Sequence, residues 1–128
     1  MYDVITVGSA TLDVFACTRF SELIKIIDPK GEKDFLAYPS GSKILIDKIE
    51  FSTGGGGTNS AVALSRLGHN VVFLGKLGKG TNSEFVHKSL KKESIHLLCS
   101  HGEGQAGYSI ILDTLEHDRT ILTYKGIN

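Results

Sequence analysis

One carboxylate and one amide flank the only run of four glycines in the sequence: Asp13 precedes it, and Asn59 follows Gly54-Gly55-Gly56-Gly57 almost at once. A carboxylate only accepts hydrogen bonds, whereas an amide side chain both accepts and donates. Glycine, lacking Cβ, lets a ligand lie against the backbone. Such a set suits an alcohol-rich ligand, which needs mixed donors and acceptors. Two other readings of the glycines compete with a substrate cradle. A flexible connector accounts for their number but not for the abrupt helix start at Asn59. A phosphate loop is the other, because any helix N-terminus offers free N–H groups. A Walker A pattern is absent, since the pair Gly75-Lys76 has Asn70 five residues before it and Leu77 after it. The first strand ends in Gly8-Ser9-Ala10, without the second glycine of a dinucleotide fingerprint.

Other reactive side chains form weaker patterns. His96, Cys99 and His101 lie within six residues with Glu103 nearby, but a zinc site needs a fourth ligand and usually a second pair elsewhere. They read as a strand end with incidental polar residues. Lys88, Lys91 and Lys92 line a helix where Glu84 and Lys88 have i,i+4 spacing, the mark of a solvated face. Cys17 and Cys99 form no CxxC pair and show no activating pattern, so both read as free thiols.

The elements that must position Asp13 and the glycines follow from patterning. Residues 2–8 form a β-branched apolar run, the profile of a buried strand, with Asp13 just past its end. In open α/β sheets ligands bind at the carboxyl ends of strands. Residues 20–27 fit a short helix or a strand equally well, and Asp28-Pro29-Lys30-Gly31 is turn chemistry. A strand is expected over 43–51 and a helix over 59–67, ended by Gly68. Residues 70–78 read as a second buried strand, and Thr81 to Glu84 as a capping box opening a helix through about Lys92. A short strand near 95–98 precedes two runs, 107–113 and 119–126, that alternate as an antiparallel hairpin does. The order strand–helix–strand–helix–strand with antiparallel additions is α/β with a mostly parallel sheet.

Composition excludes several function classes. The 128 residues suit one modest domain, and 14 basic against 14 acidic side chains leave no field favouring nucleic acid or an anionic membrane. No apolar run approaches the roughly 18 residues of a membrane span. The start "MYDVITVGSA" has no signal-peptide pattern, which makes a cytoplasmic setting the expectation.

"TGGGGTNSAVALSRLG" closely resembles the first signature of the ribokinase-like (phosphofructokinase-B) carbohydrate kinases. "DVITVGSATLD" looks like the family's first strand and its following aspartate, and "VVFLGKLGKGTNSEFVHKSLKKESI" is similar to its next strand, glycine turn and helix. "QAGYSIIL" followed by "RTILTYKGIN" resembles its lid-forming hairpin. The resemblance implies a ribokinase-like fold in which 14–50 and 106–125 contribute strands to a small antiparallel β lid. It implies that residues 1–128 are the amino-terminal substrate-binding portion, without the carboxy-terminal nucleotide-binding portion.

The same resemblance implies roles. Asp13 accepts hydrogen bonds from hydroxyls of a sugar or nucleoside, Gly54, Gly55 and Gly56 let it lie on the backbone, and Asn59 binds another hydroxyl. The family transfers the ATP γ-phosphate with an aspartate from a late Gly-Ala-Gly-Asp motif, which does not occur in these residues. ATP and Mg are therefore expected for a full-length enzyme and neither is expected on this chain alone, which has no catalytic residue and no metal site. A homo-oligomer is expected, because the family's lid sheets pair in some members. A non-catalytic sugar-binding or assembly module is the alternative. Two departures stand out: Gly80 and Ser83 replace the family's usual Asp and Gly, and Gly56 replaces a frequent basic residue.

Overall fold

The computed structural model describes residues 1–113 and 119–127. Strand β1 (Val4–Val7), helix α1 (Gly56–Arg66), strand β6 (Val71–Leu77), helix α2 (Thr81–Lys92) and strand β7 (His96–His101) form the α/β part. Its three strands are parallel, in the order β1-β6-β7. Between β1 and α1 the chain makes β2 (Thr11–Cys17), β3 (Glu22–Asp28), β4 (Gly31–Ala37) and β5 (Lys48–Gly54). After β7 it makes β8 (Gly107–Asp113) and β9 (Arg119–Tyr124). Strands β5-β2-β8-β9 form a second sheet, and β3-β4 a two-stranded hairpin of their own. The expected late hairpin is there, antiparallel from Tyr108 opposite Tyr124 to Asp113 opposite Arg119.

Both helices cover one side of the parallel sheet. Ala61 of α1 and Val86 and Leu90 of α2 pack with Val71, Phe73 and Leu77 of β6, all buried. The period of two sends the alternate residues to the other side. There Ile5 and Val7 stand in register with Val72 and Leu74, and Leu74 with Leu98. Val72 is buried there, but Ile5, Val7, Leu74 and Leu98 are exposed, so this side carries an exposed apolar surface.

Residues 20–27, open between helix and strand in the sequence, are mostly strand, within β3. Three boundaries differ from expectation. The strand expected over 43–51 begins only at Lys48, because 43–47 are held as a loop. In that loop Thr18 Oγ1 donates to the Leu45 carbonyl at 2.7 Å, and Arg19 Nη2 donates to Asp47 Oδ1 at 2.7 Å. The Arg19 hydrogen bond also holds the Asp47 carboxyl below its usual pKa. Helix α1 starts at Gly56 rather than Asn59. The capping box at Thr81 does not form: Gly80 is the N-cap, Thr81 and Glu84 lie inside α2, and no side chain caps it. Gly80 takes φ 95°, which brings the chain into the helix one residue earlier.

The two helices end alike. After α1, Gly68 N–H donates to the Ser65 carbonyl (2.9 Å) and His69 N–H to that of Leu64 (3.2 Å). After α2, Ser94 N–H donates to the Lys91 carbonyl (3.0 Å) and Ile95 N–H to that of Leu90 (3.1 Å). Both are Schellman turns, whose first residue past the cap is left-handed. Gly68 meets that demand freely, but Ser94 sits at φ 58° with an exposed side chain. Ser94→Gly should therefore stabilise the chain by about 0.5–1 kcal/mol. That is a left-handed penalty of about 1–2 kcal/mol less the roughly 0.4–1 kcal/mol that glycine costs through the unfolded chain. Denaturant melts read it, and a variant less stable than the parent would refute it.

Candidate functional site

Asp13 is the third residue of β2, not a turn residue after β1. The chain leaves the parallel sheet at Val7, crosses Gly8-Ser9-Ala10, and enters the second sheet at Thr11. Asp13 thus stands at a step between two sheets. Its register partners are Ser52 on β5 and Ser109 on β8, and Ser109 pairs with Thr123 on β9. Residues directly opposite share a face, so a row of three hydroxyls and one carboxylate crosses all four strands. Asp13 is half-buried, and Thr11 Oγ1 donates to its Oδ1 at 3.0 Å.

The glycines fall into two kinds. A Cβ on Gly54 would collide with Asp13 Oδ2, so this glycine makes room for the carboxylate itself. Gly55 has φ 102°, and a Cβ there would strike the Ser9 carbonyl. Gly57 would meet Phe73 Cε2 at 2.7 Å and the Gly8 backbone at 2.9 Å. These three permit close approach of β5 and α1 to the β1–β2 crossing. Gly56 is different: its φ is not in the left-handed region and a Cβ on it would meet nothing within 4 Å. It is the one member of the run that faces open space.

The helix start is then locked by Thr58, whose buried hydroxyl donates to the carbonyls of Gly54 (2.6 Å) and Gly55 (3.0 Å). Thr58 N–H donates to the Ser9 carbonyl at 3.4 Å and Asn59 N–H to that of Gly55 at 2.9 Å. No acidic side chain occupies the first turn of α1, and no side chain caps it. The end of the helix dipole is left partly positive, which favours an electron-rich ligand atom there.

Asn59 is exposed and lines a cleft of about 540 Å³ between β5, α1 and α2, with Ser52, Thr53 and Phe85 among its walls. Asp13, Gly54, Gly55 and Gly56 do not line that cleft. The structure therefore brings Asp13 and Gly54 into contact and sets Gly55 and Gly56 beside them at the helix start, while Asn59 borders the adjoining space. Ser52 joins the two, as register partner of Asp13 and as a wall of the cleft. Thr11, Ser52, Thr58 and Ser109 did not stand out in the sequence. The threonine directly after the glycines was the available signal for Thr58.

The weaker patterns stay apart from this site. Among the described residues no three His, Cys, Asp or Glu side chains are placed to hold a metal ion. His96 instead lies against Tyr2, with ring centroids 5.1 Å apart. No ion pair joins Glu84 to Lys88 among the described residues, while Lys79 pairs with Glu103 across the α2 start.

A strand–helix–strand–helix–strand sheet joined to a four-stranded antiparallel-edged sheet is a ribokinase-like fold, shared with solved ribokinases. Residues 20–128 match the pfkB family of carbohydrate kinases, and the chain belongs to that family. It is 29% identical over 125 residues to an uncharacterized sugar kinase, YegV, of Escherichia coli strain K12, covering 97% of this chain and 34% of that protein. Ribokinase from Giardia lamblia shares the fold at TM-score 0.76 and 17% identity, over 98% of this chain and 36% of its own. Arabidopsis thaliana ribokinase, in complex with ribose and ATP, does so at TM-score 0.73 and 18% identity, over 99% and 37%. The chain spans about a third of the length of these relatives. No described helix is long and apolar enough to cross a membrane.

Proposed function

We propose that this chain is the sugar-binding part of an ATP-dependent carbohydrate kinase that phosphorylates a hydroxyl of a sugar or nucleoside. The carrying observation is the Asp13 carboxylate seated over Gly54 beside the uncapped start of α1, within a chain of the pfkB family. Asp13 accepts from ligand hydroxyls, Gly54, Gly55 and Gly56 bring the α1 backbone to the ligand, and Asn59 reaches a further hydroxyl. The row through Ser52, Ser109 and Thr123 supplies neutral donors and acceptors on the same face. The β5-β2-β8-β9 sheet acts as the lid over the ligand.

ATP and Mg²⁺ belong to the whole enzyme in this reading. Phosphoryl transfer rests on positioning and electrostatic stabilisation, and what these residues contribute is the positioning of the sugar. The chain alone binds sugar without turning it over, works in the cytoplasm, and self-associates through its exposed apolar surface and open strand edges, which favour pairing with another chain.

Titration calorimetry of the 128 residues with D-ribose, D-fructose and adenosine tests the binding. The expected result is saturable heat with one of them, no sugar-dependent ATP consumption, and a mass by light scattering that rises with concentration. Sugar-dependent ATP consumption by the chain would overturn its inactivity, no binding would overturn the sugar site, and a strict monomer would overturn the oligomer.

A further inference from the structure

We infer that Thr11 is a positioning residue for Asp13, holding its carboxylate in one orientation at the ligand site. The inference rests on the sugar-binding reading above. Thr11 Oγ1 donates to Asp13 Oδ1 at 3.0 Å, and it is the one side chain among the described residues with a recorded hydrogen bond to that carboxylate. A Cβ on Gly54 would collide with Oδ2 and come within 2.7 Å of Oδ1, so the whole carboxylate sits in the space that this glycine leaves, Oδ2 deepest. The carboxylate is thus held by a donor on Oδ1 and by the fit against Gly54. Rotation of the carboxylate about χ2, ordinarily broad for aspartate, is stopped by the two together.

Two consequences follow for binding. With its carboxylate held in one rotation, Asp13 meets ligand hydroxyls without first losing χ2 freedom, which lowers the ordering cost of binding. Thr11 acts through Asp13 and not on the ligand, which separates it from a contact residue.

A double-mutant cycle tests this, read by calorimetric titration with whichever of D-ribose, D-fructose and adenosine binds the parent chain. Thr11→Val keeps the β-branched shape that suits a strand and removes the donor. It should weaken binding about fivefold to tenfold, the equivalent of one hydrogen bond. Thr11→Ser restores the hydroxyl and should bind within about twofold of the parent. In an Asp13→Ala background Thr11→Val should add nothing, because neighbours that act as a unit are not additive. Thermal melts of each variant run alongside. An equal loss from Thr11→Val in both backgrounds, or a serine variant as weak as the valine one, would overturn the role of Thr11 while leaving the sugar site standing. A parent chain that binds none of the three probes would remove the underlying reading and this one with it.

Discussion

Gly55→Ala should cost the chain a large part of its stability, whereas Gly56→Ala, one residue on, should make it more stable. Gly55 lies at φ 102°, ψ 142°, near a backbone region that residues with a Cβ scarcely enter. Such a conformation costs on the order of 1–3 kcal/mol. The new methyl group would also press on the Ser9 carbonyl, a backbone atom that cannot turn aside. Overpacking of that kind adds about 1–3 kcal/mol. The sum, roughly 2–6 kcal/mol, compares with about 5–15 kcal/mol for a whole domain. Gly56 has neither obstacle, so alanine there should gain roughly 0.4–1 kcal/mol by narrowing the unfolded ensemble. Urea melts of the two variants decide it. Equal shifts, or an unchanged midpoint for Gly55→Ala, would mean that the crossing at Ser9 yields more readily than its geometry indicates.

Asp13→Ala should lower sugar affinity by roughly 10- to 150-fold, since hydrogen bonds to a charged acceptor contribute about 1.5–3 kcal/mol. Asn59→Ala should lower it less, because its bonds are neutral. The Asp13 variant also vacates the space over Gly54, so a modest fall in melting temperature is expected with it. Binding and melting must therefore be measured on the same preparations. A large fall in melting temperature with sugar affinity unchanged would make Asp13 a structural residue of β2 and remove it from the ligand site.

Much of this was legible in the sequence wherever burial imposed a period. Strands β1 and β6 and helix α1 each have a covered side, and their apolar runs announced them, whereas α2 was placed by a capping pattern at Thr81–Glu84 that does not form. Strand β4 was not foreseen, because Gly31–Ala37 has no side facing a core and five of its seven residues are exposed. The start of α1 was placed three residues late for a related reason. Glycine is a poor helix former, and the Thr58 hydroxyl back-bonding to Gly54 and Gly55, with the Ser9 carbonyl from across the fold, holds Gly56 and Gly57 in the helix. Asp13 and the glycines could be named from the family likeness, but their direct contact could not. It depends on the seven-residue register between β2 and β5, which links positions some forty residues apart.

The β3–β4 hairpin leaves and rejoins the chain through one neck, where Thr18 and Arg19 are bonded to Leu45 and Asp47. Among the described residues its strands pair with each other alone, and Ile24, Ile26 and Phe35 share one exposed side. Beyond that neck the hairpin carries none of the ladder that holds Asp13 over Gly54. A protease clipping the turn at Lys30 would leave two pieces still zipped together along β2 and β5. The same turn is where a fluorescent tag or a second domain could be spliced in without disturbing the ligand site.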